Sequence, residues 1–248
     1  MNTTGEVVPR ANSDFLTFVL AAPSGAMGAL AVGERRGTWD RPGRSALLGL
    51  VAACLGLERE DEDAHQALEA GYGMALRVER LGPVLADYHT AQVPPTRRGR
   101  VFRTRREELA APDLGTILSR RDYHVDVVVF VALWPREAAQ RWSLEAIAEA
   151  MRVPRFIPYL GRRACPLMLP LSPEIEAAAD PAVALAARAD RDRGLQLLSL
   201  RPAADPVVTL DAVDARLFDL QFRRVELRRD ALTNRQRWQF NLREEAVL

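Results

Sequence analysis

The hydrophobic pattern of the first third of the chain predicts a strand, a helix and a second strand. Residues 14–21 are rich in aromatic and β-compatible side chains, which predicts a strand. Apolar residues then recur at helical spacing from Ala46 to Leu55, so a helix is expected there. A short helix is expected at residues 64–69, and the alternation of residues 72–79 predicts the second strand.

The strongest strand signal runs from Asp122 to Trp134. Its segment Val127 to Leu133 is apolar at every position, which predicts a central strand that is covered on both faces. A helix follows, with Ser143 as its N-cap. The order strand, helix, strand, strand, helix is four-fifths of the split βαβ, or ferredoxin-like, unit.

The two ends of the chain have weaker patterns. Residues 1–13 are polar and predict a flexible tail. Residues 172–205 are rich in alanine and aspartate and predict partly helical structure, whereas the chain is β-like from Pro206 onward. Arginines are interleaved with aromatic residues in this last part. That pattern suits single-stranded RNA, and it equally suits an ordinary amphipathic edge hairpin.

A basic arm separates the second strand from the strongest one. It is bounded by Pro94 and Pro112, and six arginines fall within ten residues: Arg97, Arg98, Arg100, Arg103, Arg105 and Arg106. If the arm is extended, alternate arginines share one face of a projecting hairpin. Such a face would hold a polyanion. The alternative is a solvated loop.

The loop of residues 23–43 feeds the N-terminus of the first predicted helix. Unpaired backbone N–H groups at such an end, with Arg44 and Ser45 beside them, would form an anion seat. The alternative is a plain helix start with a surface arginine. A nucleotide-binding Walker A loop is excluded, because five residues separate Gly37 from Gly43 where that motif has four, and arginine replaces its lysine.

Composition narrows the chemistry. The 248 residues are enough for one elaborated domain or two small ones, and the net charge is +1. All 34 basic residues are arginine, which binds phosphate bidentately but cannot act as a lysine base. Cys54 and Cys165 are expected to be buried free thiols. No apolar run reaches the roughly 18 residues of a membrane span, and no signal peptide is visible, so a soluble cytoplasmic protein without membrane contact is expected.

Three motifs together resemble a known family. They are RPGRSALLGLVAACLG (Arg41–Gly56), DYHTAQ (Asp87–Gln92) and PRFIPYLGRRACPL (Pro154–Leu167), with TILSRRDYHVDVVVFVALW between the last two. In this order they are similar to the fifth Cas protein family of the RAMP superfamily, in its type I-E form. The resemblance covers residues 15–171. One motif departs from the family: its Gly-Pro-Met-Gln-aromatic-Trp-Gly is reduced here to Ser24–Gly28, without the tryptophan.

The resemblance implies an α+β fold. This would be a ferredoxin-like (RRM-like) palm at residues 14–171, with a β-hairpin thumb inserted at about 82–121 and a β-rich C-terminal extension at 172–248. It also implies a non-catalytic RNA-binding subunit of a type I-E Cascade surveillance complex for defence against foreign DNA. Such a subunit grips the 5′ handle of CRISPR RNA and caps the backbone-subunit filament next to the large subunit, and it meets target DNA only through the complex. No cofactor and no metal site are expected.

Loop, arm and motif residues together form the expected RNA-binding set. Its members are Arg36, Arg41, Arg44, Ser45, Tyr88, His89, Arg97, Arg98, Arg100, Arg103, Arg105, Arg120, Arg121, Arg162 and Arg163. The feet of the arm, Asp87–His89 and Arg120–Tyr123, are expected to matter more than the charge at its tip.

Two other functions remain open at this point. Type I-C relatives cut precursor RNA with tyrosine, histidine and lysine, so a metal-independent endoribonuclease is the main alternative. His89 beside Tyr88 and His124 beside Tyr123 are its candidate groups, but lysine is absent and arginine cannot serve as the acid or base near neutral pH. The third reading is an assembly subunit whose arginines meet acidic protein partners.

Overall fold

The computed structural model describes residues 12–28, 31, 33–96, 99, 101–136, 140–234, 237 and 239–248. The predicted tail, up to residue 11, lies outside the described residues. So do three arginines of the basic arm, Arg97, Arg98 and Arg100.

Strands and helices alternate along most of the chain. The strands are β1 (Ser13–Gly25), β2 (Arg35–Arg36), β3 (Tyr72–Arg80), β4 (Val84–Val93), β5 (Gly115–Pro135), β6 (Glu174–Ala178), β7 (Val207–Asp211), β8 (Arg224–Asn234) and β9 (Gln239–Val247). The helices are α1 (Arg44–Leu55), α2 (Glu62–Gly71), α3 (Arg105–Leu109), α4 (Leu144–Arg152), α5 (Pro181–Arg191), α6 (Arg193–Leu197) and α7 (Ala212–Leu217).

One sheet organises the described residues. Its main path is β6-β1-β5-β3-β7-β9-β8, and β2 and β4 pair with the outer half of β5. All pairings are antiparallel except that of β2 with β5. The C-terminal part of the chain therefore joins the sheet on both sides, because β6 pairs with β1 and β7 pairs with β3. The result is a mixed α and β fold with a large, mostly antiparallel sheet.

The inner half of β5 is buried on both faces, as its continuous apolar run predicts. Val127, Val129, Val131 and Leu133 belong to one hydrophobic core, which α1, α2 and α4 close. The alternate residues belong to a second core, closed by α5, α6 and α7: Val128, Phe130, Ala132 and Trp134. Each buried valine, leucine or phenylalanine among them contributes about 1.5–3 kcal/mol through burial. Both faces of the central sheet are therefore covered by helices, and neither offers a flat surface to a ligand.

The outer half of β5 leaves the cores and pairs with β4 in a projecting hairpin. The pairing runs from Val84 opposite His124 to Val93 opposite Gly115. Nearly every residue of β4 is exposed, in contrast to the buried residues of β3. Between the two halves, Asp126 takes a positive φ of 50°, which marks the point where the long strand bends. The predicted basic arm is thus carried by a hairpin.

The tip of this hairpin corrects one prediction. An extended arm would place Arg103 and Arg105 on one face, but Arg105 begins the short helix α3. Thr104 caps this helix by accepting a hydrogen bond from the Glu107 backbone N–H at 3.3 Å. The pair Thr104 and Glu107 has the S/T-x-x-E spacing of a capping box, so the helix start was legible in the sequence.

Elsewhere the local signals hold, with one exception. Ser143 caps α4 through the backbone N–H of Ala146 at 3.2 Å, and both cysteines are buried free thiols. Burial raises the pKa of Cys54 to about 11. The β-like reading of the C-terminal part missed α7, which lies between β7 and β8. Among the described helices, none combines the length and the apolar character that a bilayer crossing requires.

Candidate nucleic-acid interface

Three strands meet where the hairpin leaves the sheet, and we call this place the hairpin foot. It comprises Arg35–Arg36 of β2, Asp87–His89 of β4 and Arg120–Tyr123 of β5. Arg120 of β5 has a register partner on each side. Arg35 is its partner in the β2–β5 pairing, and Tyr88 is its partner in the β4–β5 pairing. Paired residues project from the same face of a sheet, so these three side chains form one row. All three are exposed, and Tyr88 retains 64% of its accessible surface.

Asp122 holds two arginines of this row in place. Its carboxylate accepts from Arg35 Nε at 3.1 Å and from a second Arg35 nitrogen at 2.9 Å. Arg120 Nε lies 3.4 Å from the other carboxylate oxygen. Burial alone would raise the pKa of Asp122, but the two guanidinium groups outweigh burial and lower that pKa. The carboxylate stays ionised near neutral pH and fixes the two cations at the surface.

Arg162 braces the foot from behind. Its guanidinium lies 4.6 Å from the ring centroid of Tyr123. It also donates to the backbone oxygens of Asp122 at 3.3 Å and Arg36 at 3.2 Å. Arg162 therefore joins the loop after α4 to both β2 and β5. The sequence placed Arg162 among the phosphate contacts, whereas these bonds give it a positioning role; its neighbour Arg163 is exposed.

The other row of the foot carries Arg121 and the half-buried His89. Arg121 is exposed and lies opposite Asp87 in the β4–β5 register. His89 Nε2 contacts the carboxylate of Asp87, two residues away on the same strand face. The hydroxyl-bearing residue opposite His89 is Ser119. An imidazole beside a carboxylate is an acid–base pair that bears on the choice between binding and cleavage.

Three arginines of the tip are described, Arg103, Arg105 and Arg106, and all three are exposed. Arg105 forms an ion pair with Glu108 at 2.7 Å and donates to the backbone oxygen of Gln92. The backbone N–H of Arg103 donates to Glu107 at 3.0 Å. Acidic residues thus accompany arginines at the tip. Among the residues that the structure describes, the excess of exposed positive charge lies at the foot and not at the tip.

Arg41 was expected at the surface, but it is buried in the structure. Its side chain is buried and donates to Glu245 Oε2 from two nitrogens, at 2.8 and 2.7 Å. It also pairs with Asp40 at 2.8 Å and with Glu226. An arginine enclosed by carboxylates cannot also bind a phosphate, so we leave Arg41 out of the proposed RNA surface.

Arg44 is likewise buried, and the anion seat at its helix is filled from within the chain. Its guanidinium donates to Glu69 Oε1 at 3.0 Å and to the backbone oxygen of Tyr72 at 2.8 Å. Its backbone N–H donates to Asp230 Oδ2 at 2.8 Å. The anion that the N-terminus of α1 attracts is therefore the carboxylate of Asp230. Ser45, next along the helix, is half-buried.

Trp39 bonds the end of the segment that departs from the family motif, Ser24–Gly28, and its ring is covered by another side chain of the protein. Trp39 donates its backbone N–H to the oxygen of Gly28 at 3.2 Å. The guanidinium of Arg228 covers its ring, 4.1 Å from the centroid. Trp39 therefore stacks on an arginine of the protein and is not an open platform for a base.

Arg35 and the organising role of Asp122 were not predicted. Arg36 was predicted, and it is half-buried at the foot. The strand that carries both arginines is only two residues long, so no periodicity could reveal it. Across the described residues, no three His, Cys, Asp or Glu side chains come together in a group that could hold a metal ion.

Comparison with known proteins places this geometry in a family. The family model described as CRISPR-associated protein (Cas_Cas5) matches residues 15–243. The chain is 35% identical to the CRISPR system Cascade subunit CasD of Escherichia coli (strain K12) over 179 residues, which is 69% of this chain and 75% of the relative. This chain belongs to the Cas5 family of CRISPR-associated proteins, and it is of the CasD type found in Cascade.

Solved structures agree with this assignment. A chain of a structure titled "CRISPR RNA-guided surveillance complex" superposes with a TM-score of 0.61 and 25% identity, covering 95% of this chain and 89% of that one. A second structure, titled "Crystal structure of Cas protein", superposes with a TM-score of 0.52 and 22% identity, covering 94% of both chains. The second similarity concerns the fold alone.

Proposed function

We propose that this protein is a non-catalytic RNA-binding subunit of a type I-E CRISPR Cascade complex. It grips the 5′ handle of CRISPR RNA and caps the backbone-subunit filament beside the large subunit, and it works in the cytoplasm. The observation that carries this proposal is the hairpin foot. There an exposed tyrosine and exposed arginines stand in register on a projecting hairpin, in a chain that is 35% identical to a Cascade subunit.

The strand order supports the ferredoxin-like part of the proposal. Counted without the hairpin, the strands β1, β3, β5 and β6 lie in the order β6-β1-β5-β3. The helices α1 and α4 cover the same face of this sheet. This is the arrangement of a split βαβ palm, and the β4–β5 hairpin stands where a thumb would be inserted. The palm cannot bind RNA on its sheet face as an RRM does, since α5 and α7 cover that face. The hairpin and its foot project beyond these covered faces and are open to RNA.

The chemistry of the foot suits a single-stranded polyanion. Arginine forks bind phosphates, and an exposed aromatic ring stacks on a base without regard to its sequence. Arg35 and Arg120 are fixed by Asp122, so less side-chain entropy is lost when they bind a phosphate. Phosphate contacts of this kind supply affinity that weakens with salt.

A direct experiment separates binding from cleavage. The purified chain is incubated with labelled CRISPR repeat RNA in EDTA, and both retention and RNA length are followed. The proposal expects salt-sensitive binding and full-length RNA. Site-specific cleavage that disappears in His89→Ala would overturn the non-catalytic reading. Lack of any RNA affinity, even in the assembled complex, would favour a subunit that only binds proteins.

One contact favours the second candidate, a metal-independent endoribonuclease. His89 contacts Asp87, so an acid–base pair stands on one face of the foot, while the phenol of Tyr88, the next residue along β4, projects from the opposite face. Cleavage needs in addition a group that stabilises the charged transition state. The cations opposite this segment in the β4–β5 register are Arg121, across from Asp87, and Arg120, across from Tyr88, whereas Ser119 lies opposite His89. The same incubation tests this candidate.

A further inference from the structure

An apolar groove lies behind the hairpin foot, on the outer face of α1. Its volume is about 330 Å³, within the range of about 300–1,000 Å³ that small-molecule sites occupy. None of its lining residues is charged: Ser45, Ala46, Gly49, Leu50, Ala53, Ile157, Pro158, Tyr159, Gly161, Leu232 and Phe240. Small residues of α1 form its floor. The loop after α4 forms one wall, and the tip of the β8–β9 hairpin forms the other.

Backbone hydrogen bonds fix one wall of the groove, the loop after α4. Arg155 donates its backbone N–H to Cys54 at 3.0 Å, and Phe156 donates to Ala53 at 3.1 Å. These bonds tie the start of the loop to the end of α1. Further along, Ala26 donates to Leu160 at 3.2 Å. This wall is therefore held in place without a ligand.

We propose that this groove binds one unpaired nucleobase of single-stranded RNA. The inference rests on the proposed function and adds a base-binding subsite to it. Tyr159 offers a ring that is 40% exposed, and Ile157, which is 86% exposed, extends the apolar wall. Base stacking on an aromatic ring works for any base, while the hydroxyls of Ser45 and Tyr159 are the side-chain groups able to read a base edge.

Charge around the groove favours a nucleic acid over a protein side chain. Arg163 follows the wall in sequence and Arg237 lies in the turn of the β8–β9 hairpin, and both are exposed. Neither takes part in an ion pair that the described residues show. An uncharged floor with arginines on the rim matches a base that points inward and phosphates that stay outside.

The groove is also continuous with the hairpin foot. Gly161 lines the groove, and the next residue, Arg162, stacks on Tyr123 and bonds the backbone of β2 and β5. One short segment of the chain, Gly161–Arg162, therefore joins the groove to the foot.

A space-filling variant tests the subsite without removing any contact. An added Cβ at Gly49 meets nothing within 4 Å, so Gly49→Leu projects into the groove and also favours the helix. Gly49→Ala is the matched control, because it raises helix propensity equally but leaves the groove open. Tyr159→Ala is a second variant from the opposite wall. Thermal unfolding verifies that each variant is folded.

The probe is single-stranded RNA of the CRISPR repeat, in a series with one abasic nucleotide at each position in turn. We expect one position at which the abasic RNA binds wild type about 10-fold more weakly. Gly49→Leu should bind intact RNA with the same loss and show no further loss at that position. Gly49→Ala should behave as wild type, and Tyr159→Ala should resemble Gly49→Leu.

Other outcomes overturn the inference separately from the proposed function. If Gly49→Leu binds every RNA as wild type does, the groove is not used for a base, while salt-sensitive binding keeps the proposed function intact. If Gly49→Leu binds RNA normally but no longer co-purifies with the other complex subunits, a protein side chain fills the groove. If wild type binds no RNA, alone or in the complex, both conclusions fail together.

Discussion

The guanidinium of Arg162 lies on the ring of Tyr123, 4.6 Å from its centroid, and so joins the loop after α4 to the base of the projecting hairpin. The same side chain bonds the backbone of Arg36 and Asp122. Three segments that are distant in sequence are therefore held by one arginine. Two of these segments, β2 and β5, carry the exposed arginines of the foot.

Replacing Arg162 and its neighbour separates bracing from phosphate contact. Arg162→Met should lower the free energy of unfolding by about 1–2 kcal/mol, because a cation–π contact and two hydrogen bonds are lost. For a chain of this size that is a decrease in Tm of roughly 2–8 °C. Since Arg162 makes no phosphate contact in this account, the salt dependence of RNA binding should keep its slope.

Arg163→Met is the matched control. It should leave the free energy of unfolding within about 0.5 kcal/mol of wild type, because exposed substitutions rarely do more. It should flatten the salt dependence of RNA binding. If the two variants exchange these behaviours, Arg162 is a phosphate ligand and not a brace.

Gly161, the residue before Arg162, should not tolerate a side chain. Gly161 has a φ of +84°, and an added Cβ would lie 1.7 Å from the backbone oxygen of Ala26. Gly161→Ala should lower the free energy of unfolding by more than about 3 kcal/mol, since strain from positive φ and a backbone clash add. Gly33→Ala is the control, because Gly33 has a φ of +69° with nothing within 4 Å of the added Cβ.

Only the strain cost, about 1–2 kcal/mol, is expected for that control. Chemical denaturation with urea gives both values on the same scale. Equal losses in the two variants would mean that the approach of Gly161 to Ala26 is not as close as the structure shows.

The buried ion network between α1, β7 and the β8–β9 hairpin predicts a pH dependence. Burial alone would raise the pKa of Asp211, but three guanidinium groups outweigh burial and lower it: Arg44, Arg243 and Arg136. A carboxyl whose pKa is lowered in the folded state stabilises the protein above its unfolded pKa of about 3.9. That stabilisation is lost as pH falls through the folded-state value.

Asp211→Asn should therefore destabilise the protein by about 3–5 kcal/mol at pH 7, because charges are left buried without their partner. The difference from wild type should shrink as pH falls below about 4. Thermal unfolding at several pH values measures it. Glu149→Gln, at a side chain that is 70% exposed, should change little at any pH. A deficit for Asp211→Asn that is the same at pH 3 and pH 7 would contradict the assignment.

Local signals in the sequence were enough for the elements that carry the fold. The unbroken apolar run of β5 predicted a strand buried on both faces, and Ser143 predicted the start of α4. Motif order predicted the family, which the comparisons confirm. Each of these predictions depends on residues that are close in sequence or on a hydrophobic pattern that repeats along one element.

Contacts between residues that are far apart in the sequence could not be predicted. Arg41 and Arg44 look like surface cations in their own segment, but Glu245, which binds the guanidinium of Arg41, lies 204 residues later, and Asp230, which binds the backbone N–H of Arg44, lies 186 residues later. Whether an arginine meets solvent or a buried acid is decided by tertiary packing alone. For the same reason the two-residue strand β2, which supplies Arg35 to the foot, left no signal.

The central claim is that the hairpin foot binds guide RNA through its arginines. The most direct test is the salt dependence of binding to CRISPR repeat RNA, measured for the double variant Arg120→Gln/Arg121→Gln. Its control is Arg216→Gln/Arg223→Gln, at arginines that are 60% and 66% exposed and lie away from the foot.

For single-stranded RNA, each lost phosphate contact reduces the slope of log K against log salt by about 0.7. The foot variant should therefore lose about 1.4 in slope and bind at least about 10-fold more weakly in low salt, whereas the control should bind as wild type does. Equal slopes for the foot variant, the control and wild type would contradict the account.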